Sequence, residues 1–192
     1  MSIHPDVDPS KKIFGDATLD VLEVGSYSDI HVLNDWEQKG AETFVMDFIL
    51  NRDGKEEHLM AKACIKFFAS DIVREWMVRR QQLQDNGVSM PNLVAVQGAT
   101  FVEEFIPYTF SEAVNGAEGD RRHQLEQSYI DTYARIFGAG FKPISLHDLR
   151  SRGSDTVAID VGFDLGPAAP IDRCDVSTMT DAVRSLARIT HT

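Results

Sequence analysis

The sequence contains little of the material from which several classes of protein are built. Only two of its 192 residues are cysteine, Cys64 and Cys174, and neither lies in a CxxC motif or beside a histidine cluster. This spacing excludes the usual zinc-binding motifs and indicates buried or incidental thiols. No apolar run approaches the roughly 18 residues needed to cross a bilayer. The first residues, MSIHPDVDPSKKIF, show no apolar stretch after a basic start, so we predict a cytoplasmic protein without a secretory signal.

Basic residues are also too few to balance the acidic ones. The chain has 19 lysine and arginine residues against 30 aspartate and glutamate residues, which gives a net charge of -11 and a pI of about 4.9. An excess of negative charge opposes binding to the phosphate backbone of nucleic acids and to anionic membrane surfaces. We therefore expect neither a nucleic acid nor a membrane as a partner.

What the sequence does contain is the composition of a globular protein, with 43% hydrophobic residues and a mean hydropathy of -0.21. In the first half, apolar and polar residues alternate as they do in half-buried strands, and Asp53-Gly54 marks a turn. The segment DIVREWMVRRQQLQDNG instead has apolar residues at helical spacing. This pattern predicts a five-stranded antiparallel sheet with one helix inserted after its third strand. The predicted strands cover residues 29–36, 43–51, 58–68, 90–96 and 99–107.

Helices dominate the second half of the chain. They are predicted at residues 110–116, near 119–137 and at 176–189. A run of strands followed by helices indicates an α+β fold, and a chain of this length favours one structural unit. We therefore predict a sheet lobe at residues 1–107, in which residues 1–15 form a loose arm, and a small helical lobe at residues 108–192.

Four short motifs follow one another along residues 30–166 of this arrangement. A lysine lies inside the third predicted strand, HLMAKACIKFF, and Glu75 lies early in the following helix. The segment EEFIP ends the fifth strand, and the apolar segment TVAIDVG carries Asp160. Together with the order of strands and helices, these motifs resemble the two-lobed protein-kinase fold. The likeness is closest to the branch of the aminoglycoside phosphotransferases and choline kinases, in a reduced form with a truncated helical lobe.

The resemblance implies a site for ATP and Mg²⁺ in a cleft between the two lobes. In such enzymes the lysine of the third strand holds the α- and β-phosphates, and the glutamate of the helix pairs with it. Here these are Lys62 and Glu75, and the Mg²⁺-binding aspartate is Asp160. The adenine is expected against the backbone of three consecutive residues, Glu104, Phe105 and Ile106.

Two lysines of the third strand fit this description. Lys62 precedes Glu75 by 13 residues, which leaves room for the end of a strand and one helical turn. Lys66 precedes Glu75 by nine residues but ends the segment ACIK, which is closer to the VAIK pattern of protein kinases. We place the phosphate-binding lysine at Lys62, with Lys66 as the alternative.

His147 and Asp148 form the candidate catalytic pair, in which Asp148 accepts the proton of the substrate hydroxyl. The pattern of the family is incomplete here, because the expected asparagine is replaced by Gly153. Only 11 residues separate Asp148 from Asp160, which is too few for a catalytic loop and two strands. The alternative is a hairpin formed by SLHDLR and TVAIDVG around SRGSD, with the catalytic loop upstream in FGAGFKPIS. That segment contains no carboxylate, so the usual catalytic aspartate is absent from it.

The sequence therefore predicts a kinase-like phosphotransferase that binds ATP with Mg²⁺ and transfers phosphate to a small-molecule hydroxyl group. Two alternatives remain open. The first is a catalytically inactive, pseudokinase-type regulatory protein that binds a partner protein. The second is that the two lobes are misread and the chain is an α+β domain without a nucleotide site. The loop expected to cover the phosphates, EQKGAE, has only one glycine, Gly40, and so offers few free backbone N–H groups.

Overall fold

The computed structural model describes residues 26–33, 43–64, 68–142, 148–160 and 166–167. The chain divides into two compact units, and the division falls after Trp76, after Pro91 and after Phe105. We call them the sheet unit and the helical unit. The loose arm expected at residues 1–15 and the helix expected at residues 176–189 lie outside the described residues.

The sheet unit is built on five antiparallel strands in the order β1-β2-β3-β5-β4. At the turn between β2 and β3, Asp53 and Gly54 both have positive φ, 53° and 75°, the conformation that an Asp-Gly hairpin turn requires. The five-stranded antiparallel sheet predicted from the sequence is therefore confirmed. Its strands are β1 (Ser26–Val32), β2 (Thr43–Arg52), β3 (Lys55–Cys64), β4 (Leu93–Gln97) and β5 (Thr100–Glu104).

The two faces of this sheet differ in chemistry. Alternate residues of a strand point to opposite faces, and the apolar residues of one face form a continuous buried cluster. Its members are Met46, Phe48, Leu50, Leu59, Ala61, Ala63 and Val102. Residues 59–64 of β3 are buried on both faces, so the expectation of a half-buried strand is wrong here. The lysine within AKAC contributes to the alternation of apolar and polar residues that is typical of a strand with one solvated face.

One helix, α1 (Ala69–Asp85), follows β3. Its buried residues recur at helical spacing, and the indole of Trp76 meets the ring of Phe101 edge-on at 6.3 Å. The helix therefore covers the sheet face that carries Phe101. It ends at Asn86-Gly87, where Gly87 has a φ of 75°, as is common after a helix.

Among the described residues, the helical unit contains the part of α1 from Met77 onward, two further helices and two small antiparallel sheets. The helices are α2 (Phe110–Asn115) and α3 (Gly119–Gly138), as the sequence predicted. The strands are β6 (Tyr108–Thr109), β7 (Phe141–Lys142), β8 (Leu149–Arg152), β9 (Asp155–Ala158) and β10 (Gly166–Pro167). One sheet has the order β6-β8-β9, and the other pairs β10 with β7.

The buried side of α3 organises the helical unit. Leu125, Tyr129, Thr132 and Ile136 recur every three or four residues along the helix and are buried. The hydroxyl of Ser128 accepts a hydrogen bond of 2.8 Å from the N–H of Thr156 in β9. Helix α3 thus fixes the β8–β9 hairpin. In the part of the chain that the structure describes, no helix is long and apolar enough to span a bilayer.

Candidate functional site

Lys62 lies in the middle of β3, on the sheet face that α1 covers. The register pairs Lys62 with Phe101 and Met60 with Glu103, so these four side chains point to the same face. The amine of Lys62 is 2.9 Å from Oε1 of Glu103 and 5.7 Å from the centre of the Phe101 ring. The strand order therefore places a cation, a carboxylate and an aromatic ring next to one another.

The Lys62–Glu103 ion pair is almost entirely withdrawn from solvent. The side chain of Lys62 is 11% exposed and that of Glu103 is 1% exposed. Removing two charges from water costs several kcal/mol for each ion, and their attraction offsets this cost only at short range. The amine approaches Oε1 outside the angles of a hydrogen bond, so the contact is an ion pair rather than a directional bond. The contact therefore offsets part of the cost of burying each charge.

Glu103 was not assigned a role by the sequence. Two consecutive carboxylates, Glu103 and Glu104, end β5, and the alternation of a strand sends only one of them to the face of Lys62. The register between β3 and β5 decides which glutamate faces Lys62, and the sequence of either strand alone does not define that register. The tandem glutamates were the one available signal.

The other residues expected around the lysine are Glu75, Lys66 and the loop containing Gly40. Glu75 is an exposed residue of α1, away from the buried stripe that contains Val73 and Trp76. Lys66 and the loop containing Gly40 lie outside the described residues. The pairing of Lys62 with Glu75 stays a prediction.

The backbone segment expected to receive adenine directly follows β5. The N–H groups of Glu104 and Phe105 donate to the carbonyl oxygens of Asn92 and His58, at 2.9 and 3.1 Å. Within the described residues, no acceptor meets the N–H of Ile106, although this residue is buried. This N–H is therefore the donor of the segment that is available to a ligand.

The side chains of this segment have structural contacts of their own. The Glu104 carboxylate accepts from the backbone N–H and the side-chain amide of Asn92, at 3.1 and 2.8 Å. The Phe105 ring packs on the His58 ring with 4.1 Å between ring centres. These contacts hold the backbone in place and leave recognition to backbone groups.

A second polar pair occupies the same sheet face as Lys62. Asp47 of β2 is opposite Met60 in the sheet and is 5% exposed. Its Oδ2 lies 2.6 Å from Nε2 of His58, and its Oδ1 lies 3.6 Å from Nδ1 of His31. The carboxylates of Asp47 and Glu103 thus flank Met60 across three adjacent strands. The sequence analysis gave no role to Asp47 or to either histidine.

The β8–β9 hairpin in the helical unit carries the acidic candidates. Leu149 pairs with Ala158, and the carbonyl of Asp148 accepts a hydrogen bond of 2.8 Å from the N–H of Ile159. Asp148 and Asp160 therefore lie at the same open end of the hairpin, and both are partly buried. The hairpin is the one the sequence offered as an alternative, with its turn at residues 153–154. His147 lies outside the described residues.

The surroundings of Asp148 include the buried phenol of Tyr129. Burial raises the pKa of Tyr129, and the nearby Tyr133 and Asp148 raise it further. In the described part of the chain, no group of three or more histidine, cysteine or acidic side chains is arranged to hold a metal ion. The role of Asp160 in binding Mg²⁺ stays a prediction.

Comparison with known proteins now adds to this geometry. No family model and no curated protein matches the chain by sequence. In three dimensions the chain is similar to the Rio2 kinase from Chaetomium thermophilum, solved as an ADP/Mg²⁺-phosphoaspartate complex, with a TM-score of 0.50 and 16% sequence identity.

The extent of this similarity limits what it shows. It covers 88% of the present chain but 57% of the Rio2 chain, so the chain spans just over half the length of that kinase. At 16% identity, the similarity shows the fold alone. The kinase-like fold expected from the sequence is confirmed, whereas its aminoglycoside phosphotransferase and choline kinase branch is not.

Proposed function

We propose that this chain is a kinase-like protein that binds ATP with Mg²⁺ and transfers phosphate to a small-molecule hydroxyl group. Lys62 contacts the α- and β-phosphates, Glu75 supports that lysine, and the backbone of Glu104, Phe105 and Ile106 receives the adenine. Asp160 holds the Mg²⁺, which screens the charge of the phosphates. The small-molecule acceptor follows only from the resemblance to the aminoglycoside phosphotransferase and choline kinase branch.

The observation that carries this proposal is the buried amine of Lys62 on the central strand. Lysine is rarely buried unless it is paired, and here the amine lies beside a side-chain carboxylate rather than a backbone group. An ammonium group in a poorly solvated place attracts phosphate more strongly than one in water does. The fold similarity to a kinase solved with ADP and Mg²⁺ supports the same assignment.

A second support is the unused N–H of Ile106. It lies two residues after Glu104, the last residue of β5. The resemblance assigns this segment of backbone to the adenine, so an N–H that no described acceptor uses supplies a donor for the base.

The proposed phosphate transfer requires a general base. Asp148 and His147 are the candidates, but Asp148 lies next to the first residue of β8 rather than within an open loop. Loss of a general base costs roughly 10²- to 10⁴-fold in rate. We therefore expect turnover well below the roughly 1–100 per second of complete kinases.

Thermal unfolding with and without ATP and Mg²⁺ tests the proposal. Nucleotide at 100 times its Kd should stabilise the folded protein by about 2.7 kcal/mol. Lys62→Met and Asp160→Asn should each reduce that ligand-induced shift. The shift is taken between samples of the same variant, so a change in the stability of the variant itself does not affect it.

Two matched variants serve as controls. Lys55→Met changes a lysine of the same strand whose side chain is 78% exposed, and Asp155→Asn changes an exposed aspartate of the same hairpin. Both should keep the full shift. Absence of a shift in the wild type contradicts nucleotide binding, and equal shifts in all five proteins contradict the assigned residues. Binding without transfer to any hydroxyl acceptor indicates an inactive regulatory protein.

A further inference from the structure

The carboxylate of Glu103 occupies the place beside Lys62 that an anionic ligand needs. It lies 2.9 Å from the amine, at the distance expected for a phosphate oxygen bound by a lysine. We propose that Glu103 is a built-in competitor for the anionic ligand of Lys62 and thereby sets the affinity of this site for phosphate groups. This inference rests on the proposed nucleotide binding at Lys62.

The competition follows from charge and burial. While Glu103 is in contact with Lys62, the pair carries no net charge, and an approaching phosphate meets a carboxylate as well as an amine. The side chain of Glu103 is 1% exposed, so water does little to screen this repulsion. A phosphate must separate the pair or accept a longer distance to the amine, and either outcome weakens binding.

The sheet register makes the competition hard to avoid. Met60 pairs with Glu103 and Lys62 pairs with Phe101, so the carboxylate is a diagonal neighbour of the amine on the same face. Long side chains reach each other easily at this spacing. The Phe101 ring, 5.7 Å from the amine, gives the ammonium a second favourable contact but no competing charge. Of these two neighbours, Glu103 is the one whose charge opposes a phosphate, so its replacement by a neutral residue removes that competition.

The test is the affinity for ATP with Mg²⁺ by isothermal titration calorimetry in the wild type and in Glu103→Gln. Close charge pairs in desolvated places commonly couple by more than a factor of ten. We therefore expect Glu103→Gln to bind about tenfold tighter or more, while its melting temperature without ligand falls. A purely structural ion pair predicts that stability and affinity fall together.

Two further variants complete the experiment. Glu103→Met is prepared in parallel, because an apolar side chain of similar length keeps the packing if the amide does not. Glu57→Gln removes the same charge from β3, where Glu57 is near Arg52 and Lys55 at 3.6 and 3.5 Å. It should bind as the wild type does.

Each outcome has one meaning. Tighter binding in the Glu103 variants and not in Glu57→Gln supports the inference. An equal gain in Glu57→Gln assigns the effect to the overall negative charge and overturns the inference. Equal affinity of the wild type and the Glu103 variants overturns it while nucleotide binding stands. If none of the proteins binds ATP with Mg²⁺, nucleotide binding itself fails and the inference falls with it.

Discussion

The two units hold their buried cationic side chains in different ways. In the sheet unit, the amine of Lys62 lies 2.9 Å from a side-chain carboxylate, that of Glu103. In the helical unit, the guanidinium of Arg80 donates to the backbone carbonyl of Pro91. The whole-residue exposure is 9% for Lys62 and 3% for Arg80, so both cations are buried. Each of them needs an anion or a hydrogen-bond acceptor as a partner.

The difference separates a candidate for ligand binding from a structural contact. A backbone carbonyl cannot leave its cation without moving the chain that carries it, so a contact such as that of Arg80 fastens one segment to another. A side-chain carboxylate can rotate to another rotamer and leave its cation to a different anion. This is why the proposals above concern Lys62 and not Arg80.

The largest effect is expected from breaking the pair in the sheet unit. Lys62→Met removes the cation that lies 2.9 Å from the buried Glu103 carboxylate, and we expect a loss of about 3–5 kcal/mol in the free energy of unfolding. The double variant Lys62→Met with Glu103→Met should recover most of this loss, because both charges of the pair are removed together. Urea denaturation of the two single variants, the double variant and the wild type measures the coupling. Additive effects of the two substitutions contradict a strong pair.

A smaller effect is expected in the helical unit. Arg80→Leu removes the donor to the buried Pro91 carbonyl, and an unsatisfied buried acceptor costs about 1–3 kcal/mol. Arg74→Leu is the matched control, because Arg74 contacts Asp71 at 3.1 Å with both side chains mostly exposed, and such pairs contribute about 0–1 kcal/mol. A loss for Arg80→Leu as large as that for Lys62→Met would remove the contrast between the units.

The smallest effect is expected at Tyr129, whose buried hydroxyl has no hydrogen-bond partner among the described residues. At neutral pH, Tyr129→Phe should leave the free energy of unfolding unchanged or raise it by up to about 1 kcal/mol. Burial raises the pKa of the phenol above its unfolded value, so its contribution to stability is complete below about pH 10 and is lost as the pH rises further.

Urea denaturation at neutral pH and near pH 10.5 measures both parts of this prediction. The wild type should lose more stability over that interval than Tyr129→Phe does. Tyr108→Phe, which changes a tyrosine that is 61% exposed, should behave like the wild type. A Tyr129→Phe variant that is less stable at neutral pH reveals a hydrogen bond to the hydroxyl.

Local patterns were sufficient for the long elements of the fold. The strands of the sheet, the Asp53-Gly54 turn and the helices α1 and α3 each extend over enough residues, or use specific enough turn chemistry, to leave a periodic or conformational signal. Strands β6, β7 and β10 have two residues each, which is too short for any periodicity. They exist because a partner strand is nearby, so only the folded chain shows them.

The sequence predicts a boundary between the lobes after residue 107, and this boundary stays a prediction. In the structure, residues 77–91 group with the helical unit. Backbone hydrogen bonds hold the segment after α1 in the helical unit. In one of them, the N–H of Ala158 donates to the carbonyl oxygen of Ser89 at 2.9 Å. Backbone contacts of this kind do not depend on side-chain type and leave no mark on the sequence.

The sequence by itself determined the order of the long strands and helices, the place of Lys62 on the third strand and the excess of negative charge. These depend on local spacing and composition, which any stretch of the chain carries with it. Tertiary structure decided that Glu103 rather than Glu104 lies beside Lys62, and that the N–H of Ile106 remains available. Both depend on the register between strands that are distant in sequence, because a shift of one residue would exchange the two faces of a strand.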